Sequence, residues 1–223
     1  VERFLGDLAI AENWQFTKPE IRTGKRVLMI GAGPSGLSAA YHLARLGHEA
    51  EIFEAGPIAG GMMNFGIPAY RLPRNILRAE VARIEEMGVK IRLNYKVTDV
   101  LKEKTSGNFD AVFIAIGAHI GKKTEIPARE AGKILDAVSF LKEVEMGNRP
   151  RLGRRVAIYG GGNTAMDAAR TAKRLGAEEA LIIYRRDREH MPAHDFEADE
   201  ALSEGVKIHW LRTIKNLDAD SLT

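Results

Sequence analysis

The sequence contains no cysteine. That excludes disulfides, thiolate metal sites and a redox-active CxxC pair within its 223 residues, and fits a reduced, cytoplasmic setting. Long apolar runs are missing too. Nothing approaches the roughly 18 consecutive apolar residues that cross a bilayer, so no membrane role is expected. The opening VERFLGDLAIAENW does not read as a secretory leader, because acids interrupt its apolar residues. An excess of one charge sign is lacking: the formal charge is only +3, with no case for a nucleic-acid partner. No Ser/His/Asp arrangement stands out, so hydrolysis has no foothold. What remains is 45% hydrophobic and 28% charged, an ordinary globular composition. The length suits one large domain or two small ones.

The organising stretch runs from Arg26 to Glu54, RVLMIGAGPSGLSAAYHLARLGHEAEIFE. Val27 to Ile30 is too short an apolar run for a helix and reads as a buried parallel strand. Gly31-x-Gly33-x-x-Gly36 follows at once, with Pro34 suited to the first turn of a helix. Leu37, Ala40, Tyr41 and Ala44 form one apolar face, Gly47 stops the helix, and a second strand, Ala50 to Phe53, ends in Glu54. In such a unit the first glycine permits the tight turn and the second lets backbone approach a pyrophosphate. The third allows close helix–strand packing, and the helix N-terminus attracts the phosphates. An acid at the end of the second strand accepts hydrogen bonds from ribose hydroxyls. The alternative, a merely structural glycine turn, does not explain why all parts fall in register.

Upstream, Val1 to Arg22 reads as an amphipathic helix followed by an extended connector. Residues 55–63 are too rich in glycine for a regular element, and either bring bare backbone against a bulky cofactor or serve as a flexible connector. A helix is expected over Pro73 to Met87, a strand over Lys90 to Val97 and another buried strand over Ala111 to Ile116. Lys122 to Gly153 holds one amphipathic helix (Val138, Leu141, Val144) in a looser crossover.

The opening pattern then returns. Arg155 to Tyr159 runs into Gly160-Gly161-Gly162-Asn163-Thr164-Ala165, a helix ends at Gly176, and a strand Ala180 to Ile183 follows. Motif glycine and helix-stop glycine are 16 positions apart in both copies, 31 to 47 and 160 to 176. The copies differ at the second strand's end, where Tyr184-Arg185-Arg186 replaces Glu54. An acid suits a free 2′-hydroxyl, whereas guanidinium groups suit a 2′-phosphate. The first unit should therefore bind an adenine nucleotide lacking that phosphate, and the second NADP(H), with NAD(H) still open. The competing reading of Arg185 and Arg186 is a solvated basic loop, and Arg188 could belong to the same cluster. His190 and His194 have the i,i+4 spacing of metal ligands, but Pro192 between them argues against a continuous helix, and no metal is expected. A third strand should run from Val206 to Leu211.

GAGPSGL at 31–37, Glu54, GGMMNFGIPAYRLP at 60–73, AIGAH at 115–119, GGGNTAMDAART at 160–171 and YRRDREHMPA at 184–193 together resemble the NADPH-dependent glutamate synthase small subunit. Related flavin domains occur in dihydropyrimidine dehydrogenase and bifurcating transhydrogenases. The resemblance implies an α/β chain with two Rossmann-like FAD/NAD(P)-binding units, the second inserted in the first. It implies an N-terminal helix and connector over 1–24, the first part of an FAD domain over 25–121, a crossover over 122–153 and an incomplete NAD(P)H domain over 154–223. FAD contacts are implied for Gly31, Gly33, Pro34, Ser35, Gly36, Glu54, Ala55, Gly61, Met62, Arg71, Val97, Ala115 and Gly117. NAD(P)H contacts are implied for Gly160, Gly162, Asn163, Thr164, Ala165, Arg185 and Arg186. Electrons would pass from NADPH through FAD to iron–sulfur clusters outside this chain segment or to a partner subunit, with a larger catalytic subunit or a hetero-oligomer as the setting. Family members carry cysteine-rich sequence upstream and a Gly-Asp-containing segment that closes the flavin domain. The only Gly-Asp here is Gly6-Asp7, so the expectation is a fragment with that domain incomplete. No acid–base residue is implied, because the flavin carries the chemistry. The alternatives are a catalytically idle nucleotide-binding scaffold that docks partners, and a disulfide reductase of similar architecture, which the missing cysteines disfavour.

Overall fold

The computed structural model describes residues 1–118, 134–217 and 222–223. The chain divides into two compact units, Val1–Ala118 and His119–Thr223. The first contains α1 (Glu2–Ala11), β1 (Arg26–Ile30), α2 (Pro34–Arg45), β2 (Glu49–Phe53) and the short α3 (Met62–Phe65). It continues with α4 (Arg74–Glu86), β3 (Lys90–Arg92), α5 (Val100–Ser106) and β4 (Ala111–Ile114). Its four strands are parallel in the order β3-β2-β1-β4, with Ile30 opposite both Phe53 and Ile114.

The pleat of β1 sends successive side chains to opposite faces. Met29 joins Ala40, Ala44, Ile52 and Met87 beneath α2 and α4, while Leu28 and Ile30 join Phe53 and Phe109 on the other side. Burial on both faces is why the run from Val27 to Ile30 is uniformly apolar. The connector after α1 is fastened to α2 and α4. Trp14 accepts a hydrogen bond from Arg83 Nε at 3.1 Å, and Phe16 sits against Tyr41 and beneath the Arg83 guanidinium. At the start of the sheet, Asp110 accepts from Lys25 Nζ at 2.8 Å and from the Arg26 N–H at 2.9 Å.

Two strands differ from the sequence expectation. The strand expected over Lys90 to Val97 stops at Arg92. Asn94 adopts φ +56° there, and the N–H groups of Asn94 and Tyr95 turn back to the carbonyls of Gly56 and Glu54. The strand expected to be buried over Ala111 to Ile116 ends at Ile114 and lies at the sheet's edge, with Phe113, Ile114 and Ile116 exposed by 41%, 59% and 61%. Its apolar composition mimics a central strand without the burial.

The second unit contains α6 (Ala137–Glu145), β5 (Arg155–Tyr159), α7 (Asn163–Arg174), β6 (Glu179–Tyr184), α8 (Asp195–Ser203) and β7 (Lys207–Trp210). Its strands are parallel in the order β5-β6-β7. Met166, Ala169, Ile182, Ala198 and Val206 share one core cluster. Phe140 and Leu141 of α6 pack against Ala168 of α7, so the helix read within the crossover is a layer of this unit. Residues 122–133 of that crossover, and His119 of the AIGAH motif, lie outside the described residues. Among the described residues no helix is long and apolar enough to cross a membrane.

Candidate functional site

In the first unit the glycine motif forms the turn between β1 and α2. Gly31 has φ +107°, a conformation open to glycine, and a Cβ on it would strike the Ala115 carbonyl just beyond β4. Its N–H donates to Phe53 O at 2.8 Å, as Ala115 N–H does to Ile30 O at 2.8 Å. Gly36 lies in the first turn of α2, where a Cβ would overlap the Gly31 carbonyl. Gly33 is different. Its backbone, at φ −79° and ψ −177°, suits any residue, and the nearest neighbour of an added Cβ is Gly61 Cα at 3.9 Å. Neither conformation nor protein packing demands glycine there. Pro34 and Ser35 open α2, whose first N–H groups receive no side-chain cap.

Glu54 stands at the end of β2 with its carboxylate turned onto this turn. Oε2 accepts from Ala32 N–H and Oε1 from Gly56 N–H, both at 2.7 Å. A carboxylate offers about four acceptor positions, so it retains capacity for a ribose hydroxyl while bracing the loop. The glycine-rich stretch after Ala55 packs back on the motif. Gly60 N–H donates to Ala32 O at 2.8 Å, and a Cβ on Gly61 would come within 2.7 Å of Gly33 Cα. Two bare backbones are in contact, so this stretch is a fitted part of the turn. Its end forms α3, starting at the half-buried Met62. Arg71 is half-buried in the turn before α4, and Arg74 ties that turn together through the carbonyls of Met63, Ile67 and Leu72 at 3.1, 2.5 and 2.9 Å. Val97 packs its side chain against the cluster of Leu28, Ile30, Phe53 and Phe109. Gly117, at φ +69°, follows Ala115 beyond the edge strand.

The second unit repeats these contacts. Gly160, at φ +149°, donates from its N–H to Ile183 O at 3.1 Å. Gly162 has φ −93° and ψ 174°, with nothing within 4 Å of an added Cβ, so glycine is again undemanded by the protein itself. Asn163 and Thr164 open α7, and Ala165 is buried in its first turn. Ala193 N–H donates to Gly161 O at 3.0 Å, the counterpart of the Gly60–Ala32 bond, and Asn163 Oδ1 accepts from His194 N–H at 3.2 Å. Sequence reasoning missed Gly161. The Tyr184 ring lies where its Cβ would be, at 2.5 Å, and the Tyr184 hydroxyl donates to His190 O at 2.8 Å.

Arg185 and Arg186 are exposed at the end of β6, with no carboxylate partner among the described residues. Asp187 does not neutralise them. Its Oδ1 accepts from the His190 ring Nδ1 at 2.6 Å and from His190 N–H at 3.0 Å, contacts that hold the carboxyl below its usual range. Arg188 leaves the cluster suggested by the sequence and pairs with Asp199 at 2.5 Å and Asp195 at 3.8 Å. The two histidines diverge: His190 engages Asp187, and the His194 ring stacks on Phe196 at 5.7 Å.

The sequence profile of the pyridine nucleotide-disulphide oxidoreductases matches residues 25–222. The chain belongs to that family. This is a family of NAD(P)H-dependent oxidoreductases that bind FAD and NAD(P)H, and the room left at Gly33 and Gly162 fits such cofactors. The disulphide part of the family's name has no counterpart in a sequence without cysteine. The chain is 48% identical over 195 residues to the NADP(+)-dependent formate dehydrogenase subunit beta of Moorella thermoacetica, covering 86% of this chain and 28% of that protein. It is 35% identical over 220 residues to the glutamate synthase [NADPH] small chain of Escherichia coli (strain K12), covering 93% of this chain and 47% of that one. The resemblance read from the motifs therefore holds. The chain spans less than a third of the first of these relatives and about half of the second. Among solved structures, Mycobacterium tuberculosis FprA in complex with NADPH superposes with a TM-score of 0.64 at 22% identity, over 80% of this chain and 47% of that one. Lactococcus lactis thioredoxin reductase does so at 0.60 and 22%, over 88% and 67%. These likenesses show the pyridine nucleotide-disulphide oxidoreductase fold.

Proposed function

We propose that these residues form the nucleotide-binding part of an FAD-dependent NADPH oxidoreductase subunit of the glutamate synthase small-chain type. It would pass electrons to iron–sulfur clusters or a partner subunit in the cytoplasm. The observation that carries this reading is the pair Gly33 and Gly162, which neither backbone conformation nor packing requires to be glycine. A ligand's close approach supplies the reason in both units.

The first unit holds FAD. Gly31, Gly33, Pro34, Ser35 and Gly36 shape the turn and present the α2 N-terminus to its pyrophosphate, while Glu54 takes a ribose hydroxyl. Ala55, Gly61, Met62, Arg71, Val97, Ala115 and Gly117 complete its surroundings. The second unit holds NADPH, with Gly160, Gly162, Asn163, Thr164 and Ala165 at the pyrophosphate and Arg185 and Arg186 on the 2′-phosphate. Bound together, the two cofactors would supply hydride transfer from nicotinamide to flavin, and the residues named would hold and orient them rather than move protons. The relatives' names, a subunit beta and a small chain, support a hetero-oligomeric setting.

The test uses the intact protein. Anaerobic NADPH should bleach a flavin absorbance, and an intact protein without that response would be a docking scaffold. Replacing Arg185 and Arg186 together by alanine should cost NADPH about 2–4 kcal/mol in kcat/KM and leave NADH nearly unchanged. An unaltered NADPH-to-NADH ratio would make this loop solvated surface.

A further inference from the structure

The segment following β7 brings another cation to the end of β6. Leu211 adopts φ +54°, an uncommon backbone conformation for a branched residue, and reverses the chain. Its N–H donates to Arg186 O at 3.1 Å, and the next N–H, of Arg212, donates to Tyr184 O at 3.0 Å. Thr213 Oγ1 then lies 2.9 Å from the Tyr159 hydroxyl, on the residue that precedes Gly160. Residues 211–213 therefore cross the C-terminal ends of β6 and β5, the edge at which an open parallel sheet binds its ligands.

We infer that Arg212 is a third guanidinium for the 2′-phosphate and a determinant of NADPH over NADH, an inference that rests on the second unit's reading as the NADPH site. Arg212 is exposed, and its one described side-chain bond runs to the carbonyl of its own neighbour, Leu211, at 3.3 Å. Elsewhere in this unit Arg154, Arg155, Arg174, Arg188 and Lys207 each pair with a carboxylate. Arg185, Arg186 and Arg212 have no such partner among the described residues, although backbone hydrogen bonds hold their stretches together. Three like charges gathered on one edge repel one another, and a bound dianion relieves that repulsion. A phosphate group presents three strong acceptor oxygens, enough for more than the two arginines adjacent in sequence. The backbone bonds of Leu211 and Arg212 survive any non-proline substitution, so the side chain can be tested without removing the crossing segment.

The experiment compares Arg212→Ala, Arg212→Lys and the Arg185→Ala/Arg186→Ala double variant in the full-length holoenzyme. It measures kcat/KM for NADPH and NADH, inhibition constants for 2′-AMP and 5′-AMP, and thermal unfolding. Arg212→Ala should lower kcat/KM for NADPH about tenfold, the scale of one charge-assisted hydrogen bond, and weaken 2′-AMP similarly. NADH and 5′-AMP should change less than about twofold, within what a distant surface charge accounts for. Arg212→Lys should recover part of the loss. If the double variant shifts the NADPH-to-NADH ratio and Arg212→Ala does not, Arg212 has no such role and the NADPH reading stands. Equal losses with both cofactors would also overturn the inference and make Arg212 a prop of the strand end. If neither alanine variant shifts the ratio, the NADPH reading itself fails. Should Arg212→Ala not fold, Arg212→Lys decides alone, an unchanged ratio and 2′-AMP constant counting against the inference.

Discussion

Each glycine of the first motif is needed for a different reason, and the difference is measurable. Gly36 carries no side chain because a Cβ would overlap the Gly31 carbonyl, a clash of backbone with backbone that no rotamer relieves. Gly33 has room for a methyl group in a conformation common to all residues. Gly36→Ala should therefore destabilise the fold by several kcal/mol, whereas Gly33→Ala should unfold at the wild-type temperature and lose FAD affinity by tenfold or more. Thermal unfolding of the apoprotein, followed by flavin titration, separates the two. A Gly33→Ala protein that keeps wild-type FAD affinity would remove the main support for a ligand at that turn. The motif's existence and its strand–turn–helix setting were legible in the sequence, because glycine spacing and Glu54 mark them. The bracing role of Glu54 was not, since it depends on where the Ala32 and Gly56 N–H groups point.

Helix α8 shows where periodicity fails as a guide. Its inward positions include Ala198 and Ala201, small residues that leave no apolar stripe against the acids around them. Charge fastens it instead. Arg170, buried on α7, lies between Glu200 and Glu204 at 2.6 Å from each, and Arg174 reaches Glu204 at 2.8 Å. Burial pushes the Glu204 carboxyl up, but its bonds to Arg174 and Arg170 outweigh that and hold it below its ordinary value. A carboxyl whose folded value is depressed contributes stability above its unfolded value, near 4.5, and loses that contribution as pH falls through the folded value. Glu204→Gln should accordingly unfold at a lower temperature than wild type at pH 7. The gap should narrow as both proteins are taken to more acidic pH, below the ordinary carboxylate value. A gap independent of pH would mean that the residue acts through packing alone. Helix α5 escaped notice for a related reason: it is seven residues long and buries none of them. The edge position of β4 was equally illegible, because strand order is set by pairing and not by composition.

Two units of this chain solve one problem with the same backbone bonds and different end groups. Gly31 and Gly160 each donate to the last or next-to-last carbonyl of the neighbouring strand, at Phe53 and Ile183, and a returning segment donates to Ala32 in one and Gly161 in the other. The repeat of 16 positions between glycines announced the duplication, whereas the returning segments share no sequence and could be matched only in three dimensions. What differs is the polar group at the strand's end: a carboxylate in the first unit, and a tyrosine followed by two arginines with no carboxylate partner among the described residues in the second. Because each unit has its own core clusters, binding at the two turns should be close to independent. In the full-length protein, Gly162→Ala should weaken NADP+ binding by tenfold or more and leave FAD retention within about twofold of wild type, with Gly33→Ala giving the converse. NADPH-driven flavin reduction should fall in both variants, since it needs both nucleotides. The decisive measurements are equilibrium titrations of each cofactor against each variant. Release of FAD by Gly162→Ala at wild-type rates of unfolding would show that the turns are energetically coupled, and independence would be wrong.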